Sequence, residues 1–205
     1  KTSNYQVEFK KILDSDYYSS KFKSVRNKAF KQFLDTKFSS KHWDSLRFTN
    51  LTALKKNTYR LCDAPDRVPK NFDYPDSIIQ EKYRIVFYNG HYQNHMTSLP
   101  DSIEIVSNLE YHSYPGNKVM EPSNSPFDIL NTAFMDSGMC LKVENNRDIH
   151  KPVLLAFVNS GNVRLMNSPR IHIHVGKSSS LKLFEHHIGS QIGNFSNEST
   201  FISLK

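Results

Sequence analysis

The chain has 205 residues, 38% of them apolar and 12% aromatic, with 27 Lys and Arg against 20 Asp and Glu for a net charge of +7. This composition excludes a disordered chain and predicts a core rich in Phe and Tyr. Its longest purely apolar run, Val153 to Val158, is six residues, which excludes a membrane-spanning helix of roughly 20.

The charge is unevenly placed. From Lys1 to Arg60 there are 14 basic and 5 acidic residues, and from Leu61 onward 13 basic and 15 acidic, so the excess is N-terminal. No signal-type apolar stretch stands in the first thirty residues. The start at Lys1 and the stop at Lys205, on an apolar beat of Phe201, Ile202 and Leu204, read as the ends of a fragment. Cys62 and Cys140 form no CxxC and no disulfide framework, which favours a reducing compartment. The triplets at Asn50, Asn194 and Asn197 match the glycosylation pattern by chance in a chain this rich in Asn and Ser.

Residues 5 to about 38 read as helix. Val7, Ile12 and Leu13 mark a first short piece, and Phe22, Val25, Ala29, Phe33 and Leu34 share one face, with the intervening Lys and Arg pointing away from it. Such a basic face is an ordinary solvated surface or a footprint for nucleic acid or an anionic membrane, and the aromatics on the buried stripe do not serve as stacking platforms. Ser39 and Ser40 break the helix. Trp43 then stands beside Leu46, Phe48 and Leu51 as a hydrophobic anchor. Pro65, Pro69 and Pro75 make Asp63 to Asp76 an extended connector. The chain thus divides into a helical region (1–62), a connector (63–82) and a strand region (83–205).

Tyr83 to Tyr88 is a strand, and Asn89-Gly90 supplies a type I′ turn that lets His91 and Tyr92 pair back. Ile103, Ile105 and Leu109 mark another strand, and 111–124, with Pro115-Gly116, is loop. Ser125-Pro126 caps a helix whose buried face is Phe127, Leu130, Ala133 and Phe134 and which Gly138 closes. Strands follow at 139–143, 153–158, 163–166, 171–175 and 181–184, separated by Asn, Gly, Ser and Pro. That spacing permits a sandwich, a barrel or a β-helix; the lack of two-residue hairpin turns favours rungs of a solenoid.

Little in this pattern is catalytic. His172 and His174, two apart on a strand, are the best metal candidates, with His186-His187 as a further imidazole source, but no Asp, Glu or Cys completes a known ligand spacing. The competing reading puts Ile171, Ile173 and Val175 on the inner face and the histidines on the outer one. No nucleophile elbow and no Gly-rich phosphate loop can be written. Cys62 and Cys140 read as small buried hydrophobes before they read as thiolate ligands.

Three stretches together resemble one family. Trp43, Leu46-Arg47-Phe48-Thr49-Asn50-Leu51 is similar to a W…T-N-L box; Ile85-Val86-Phe87-Tyr88-Asn89-Gly90 with Leu99-Pro100 and Ile103 is similar to a hydrophobic-N-G…L-P hairpin; Phe127 to Phe134, Asp136 to Gly138, Pro152, Pro169-Arg170-Ile171 and Val175-Gly176 are similar to an F-x-x-L-N-x-A…D-G…P…P-R…V-G run. Their order is that of the SufB/SufD family of SUF iron–sulfur cluster assembly, and the Trp box is closer to SufD. The resemblance implies a fold that is mainly β with an N-terminal helical region, opening a right-handed parallel β-helix. It implies a non-enzymatic scaffold in the cytoplasm, or in a plastid in a eukaryote, partnered by a SufB-like protein and a SufC-like ATPase. Nucleic acid and membrane are not partners on this reading, and no cofactor is bound by this segment; the full complex handles iron or the cluster. A SufB-like scaffold and a carbohydrate-active β-helix protein are the alternatives, and a nucleic-acid binder using the basic first sixty residues is a third. No functional residue of the family carries over to this chain.

Overall fold

A computed structural model describes residues 4–15, 20–39, 41–62, 82–107, 125–135, 138–161, 163–189 and 193–205. The Pro-containing connector, the loop at 111–124 and Leu109 lie outside the described residues.

The N-terminal part is helical: α1 (Asn4–Asp14), α2 (Lys23–Thr36) and the short α3 (Thr52–Lys56). Their core is aromatic. Phe9 stacks on Phe30 at 4.0 Å, and Tyr5, Phe9 and Phe30 all set an edge or face against Phe134 at 5.7 to 6.3 Å. Phe134 belongs to α4 (Pro126–Phe134), so this core is completed from a distant stretch of chain. The offset and edge-to-face arrangements are those that aromatic quadrupoles favour.

Several sequence expectations change here. Of the residues that mark the first helix, Ile12 is buried but Val7 is 48% exposed, and Phe9 joins Ile12 in the core. Arg26 does not point away from the core: it is buried, and its guanidinium donates to the Met135 carbonyl at 2.7 Å while lying over the Phe22 ring. Trp43 and Leu51 do pack against the core and Leu46 is buried, but Phe48 stands 94% exposed. Gly138 does not close a helix; α4 ends at Phe134, and Gly138 is the first residue of a strand.

Eleven strands are described: β1 (Arg60–Leu61), β2 (Tyr83–Tyr88), β3 (His91–Tyr92), β4 (Ile103–Ser107), β5 (Gly138–Val143), β6 (Val153–Val158), β7 (Leu165–Asn167), β8 (Arg170–Val175), β9 (Leu183–Ile188), β10 (Phe195–Ser196) and β11 (Ser199–Leu204). They form three sheets, ordered β1-β7-β10, β3-β2-β6-β9 and β4-β5-β8-β11. Sequence-adjacent strands β5, β6 and β7 lie in different sheets, and β8, β9 and β10 pair with them in the same order, all parallel. From β5 onward the pairing offset is near thirty residues: Gly138 with Arg170, Val153 with Leu183, Met166 with Phe195, Arg170 with Ser199; the earlier strands join at longer range, Tyr83 with Val153 and Arg60 with Leu165. Antiparallel pairs occur where β3 returns on β2 and β4 lies on β5.

The turns repeat with the strands. Asn146 (φ 58°) and Ser178 (φ 56°) take left-handed backbone at corresponding places after β5 and β8, and Asn146 N–H donates to the Lys177 carbonyl at 2.8 Å. The expected I′ turn is present, with φ 48° at Asn89 and 87° at Gly90. Gly90 also presses on the Asn167 side chain, where a Cβ would collide.

Between the two four-stranded sheets lies the second core: Ile85, Phe87, Met139, Leu141, Val143, Val153, Leu155, Phe157, Ile171, Ile173 and Val175. Alternate residues of each strand supply it, as strand geometry requires. Pairing is in register, and Phe87 lies face to face with its register partner Phe157 at 5.3 Å.

Candidate functional site

His172 and His174 lie on β8 with Ile171, Ile173 and Val175 turned to the core, so the inner and outer faces are divided as alternation predicts. The two imidazoles nevertheless meet different surroundings. His172 is buried, between Cys140 of β5 in the pairing register and the Phe201 ring of β11, on which it stacks at 5.3 Å. His174 sits in the next row with Glu104, Lys142 and Ser203, in an open cleft of about 810 Å³ that also includes Lys205. Burial, then the charges of Lys205 and Lys142, hold its pKa below the ordinary value. Lys142 is paired with Glu104 at 3.5 Å.

His186 and His187 belong to β9 in the other four-stranded sheet, away from His172 and His174 in the strand order. His187 pairs with Phe157 and stacks on it at 4.9 Å, on the side of the sheet that carries the core. Its ring nitrogens are 3.8 Å from Glu185 and 3.8 Å from Glu198, and Thr200 donates to Glu185 at 2.9 Å. The Ser196 hydroxyl contacts Glu198 and Asn167, and Asn167 donates to Asn159 at 2.6 Å. Polar groups thus gather at inward positions of the last described strands. Sequence reading missed Glu198 and Glu185; the signal was Glu185 and His187 at the inward beat of a strand whose partner offers Leu155 and Phe157 there. Among the described residues, no group of three or more His, Cys, Asp or Glu side chains is placed to hold a metal ion.

The most completely satisfied polar cluster joins helix to sheet. Arg170, 1% exposed, donates to Asn131 Oδ1 at 2.9 Å, to Thr132 Oγ1 at 2.6 Å and to Asp128 Oδ1 at 3.1 Å, and lies over the Phe201 ring. Asn131, wholly buried on α4, donates in turn to the carbonyls of Pro169 (3.1 Å) and Asn197 (2.7 Å), and Asn197 donates back to the Phe127 carbonyl at 2.9 Å. Burial lowers the pKa of Arg170 and the Asp128 carboxylate counters it. A buried cation with three oxygen acceptors is compensated as few buried charges are. Sequence reading placed Asn131 and Pro169-Arg170 in a motif without giving them a task. An Asn in an otherwise apolar helix face and an Arg opening an apolar strand were the available signal.

Both cysteines are buried and unpaired as disulfides. Burial pushes the Cys140 thiol up to about 11 despite the opposing charge of Lys142, with Glu104 adding a smaller upward push, an unreactive state for a thiol. No helix among the described residues is long and apolar enough to cross a membrane. In comparisons with known proteins, no protein-family model matches the chain and no curated protein matches it significantly.

Proposed function

We propose that the chain is a SufD-like, non-catalytic scaffold subunit of iron–sulfur cluster assembly, and that its three sheets are the faces of a right-handed parallel β-helix. The observation that carries the reading is the joint at Arg170. The motif residues that resemble the family, Asn131 of F-x-x-L-N-x-A and Pro169-Arg170 of P-R, are those that bond α4 to the strand stack. A chain that visits three sheets in turn and returns in register after about thirty residues supports the β-helix part.

On this reading the repeat is a rigid platform, and iron or the nascent cluster is cargo of the assembled complex. A SufB-like protein and a SufC-like ATPase are the partners, and the cytoplasm or a plastid is the setting. No residue of this chain is given a catalytic role. The test is co-expression of the whole protein that carries this chain with a SufB-like protein and a SufC-like ATPase, followed by affinity purification of the ATPase. Recovery of all three in fixed ratio is expected. Elution of the protein alone, under conditions where the other two associate, overturns the proposal.

A further inference from the structure

The helical part carries a second concave feature that the scaffold reading does not use. A cleft of about 480 Å³ opens between the three N-terminal helices, within the size range of pockets that enclose ligand groups. Its accessible apolar floor is Leu34 from α2 and Leu54 from α3, both half-buried, with Phe33 and Phe38 buried beneath them. Tyr5 closes one side, with its hydroxyl donating to the Leu54 carbonyl at 3.1 Å. Three exposed lysines, Lys37, Lys41 and Lys55, stand at its rim, and among the described residues no acidic one lines it.

None of these lysines makes an ion pair among the described residues, whereas Lys11 and Lys142 each hold a carboxylate. Lys37 has left-handed backbone, φ 48°, which costs a non-glycine residue of order 1 kcal/mol. That turn separates neighbours: Phe38 goes into the core at 3% exposure and Lys37 stays at the rim.

An apolar floor inside a ring of like charges has a definite complement. We infer that this cleft docks an acidic amphipathic helix of a partner protein, with apolar side chains at i, i+3 and i+4 seated on Tyr5, Leu34 and Leu54 and carboxylates meeting Lys37, Lys41 and Lys55. Helix-in-groove recognition places anchors in this way. Flanking carboxylates add steering and discrimination against basic partners. The floor is short and walled by helices, a shape that takes side chains and not a membrane surface. The inference does not rest on the iron–sulfur reading.

The test uses a fluorescein-labelled peptide of about four helical turns, with Leu at the anchor positions and Glu beside them, titrated with the intact chain and followed by anisotropy. Saturable binding is expected for this peptide, and binding at least about tenfold weaker for the same Leu pattern flanked by Lys. The triple variant K37E/K41E/K55E changes only exposed side chains and is expected to lose about tenfold or more in affinity with an unchanged circular dichroism spectrum. L34E is a second variant that attacks the floor without touching the rim. Equal binding of the acidic and basic peptides, or wild-type affinity in the triple variant, overturns the inference. So does binding of phosphatidylglycerol vesicles by a chain that leaves the acidic peptide free.

Discussion

The two cores of this molecule are assembled by different rules. In the helical core, ring partners come from scattered positions, Tyr5, Phe9, Phe30, Phe33, Phe38 and Phe134, and each contact is particular to its site. In the strand core from β5 onward, one residue determines its neighbour about thirty positions on, and Met139 lies beside Ile171, Leu141 beside Ile173, Val143 beside Val175. The first core is a local solution and the second a rule that repeats. They meet through Leu61, Met166 and Phe195 of the three-stranded sheet, which belong to the helical core, and through α4, which gives Phe134 to the aromatic cluster and Asn131 to the polar joint with Pro169 and Arg170.

The largest effect is therefore expected where the two meet. Arg170→Ala leaves Asp128, Asn131 and Thr132 without their shared donor, and breaking a buried pair in this way costs about 3–5 kcal/mol. Urea unfolding followed both by tryptophan fluorescence, from Trp43 in the helical part, and by circular dichroism is the measurement. The joint is expected to keep the two transitions coincident in the wild type and to let them separate in the variant. A loss below about 1 kcal/mol with coincident transitions would show that the cores are coupled elsewhere.

Asn131→Ala attacks the same joint more gently. It removes the donor to the Pro169 and Asn197 carbonyls and leaves Arg170 its two other acceptors, so a loss of about 1–3 kcal/mol is expected. Smaller again is a change within the strand rule itself. Ile173 and Ile202 are register partners on the same side of one sheet, yet Ile173 is 1% exposed and Ile202 60%. Ile173→Val is expected to cost about 0.5–1.5 kcal/mol, and Ile202→Val less than about 0.5 kcal/mol. Equal costs for the two would break the account of the strand core, because the transfer of one methylene should depend on what surrounds it.

The repeat was readable because strand periodicity and turn chemistry are local. Val153 to Val158 lay where the apolar run put it, and Asn89-Gly90 made its turn. The last strand was visible only as a beat of Phe201, Ile202 and Leu204, because its apolar residues do not mark a buried face: Ile202 and Leu204 stand exposed. The joint was not legible as a joint: Asn131 and Arg170 are 39 residues apart, and no local rule states that a buried amide and a guanidinium will meet. Arg26 was misread for the same reason, since its acceptor, the Met135 carbonyl, is 109 residues away. The histidine pair was correctly placed on one strand face, but which of the two would be buried depended on Cys140 and Phe201 in neighbouring strands.

That difference between His172 and His174 supplies the smallest prediction. Burial, Lys205 and Lys142 together hold the His174 pKa below its ordinary value of about 6.5. With the folded pKa depressed, the unfolded chain takes up this proton first as pH falls. Stability contributed by the neutral imidazole is then present above about pH 6.5 and is lost as pH drops through the folded value. His174→Gln removes that term. The variant is expected to match the wild type at pH 8 and to lose less stability between pH 7 and pH 5, a difference read from paired urea midpoints. Lys142→Met should move the variant-to-wild-type difference in the same direction, because it removes one of the two positive charges that disfavour the imidazolium. A wild-type slope left unchanged by both substitutions would mean that solvent screens the row completely, and that the cleft beside His174 is electrostatically ordinary surface.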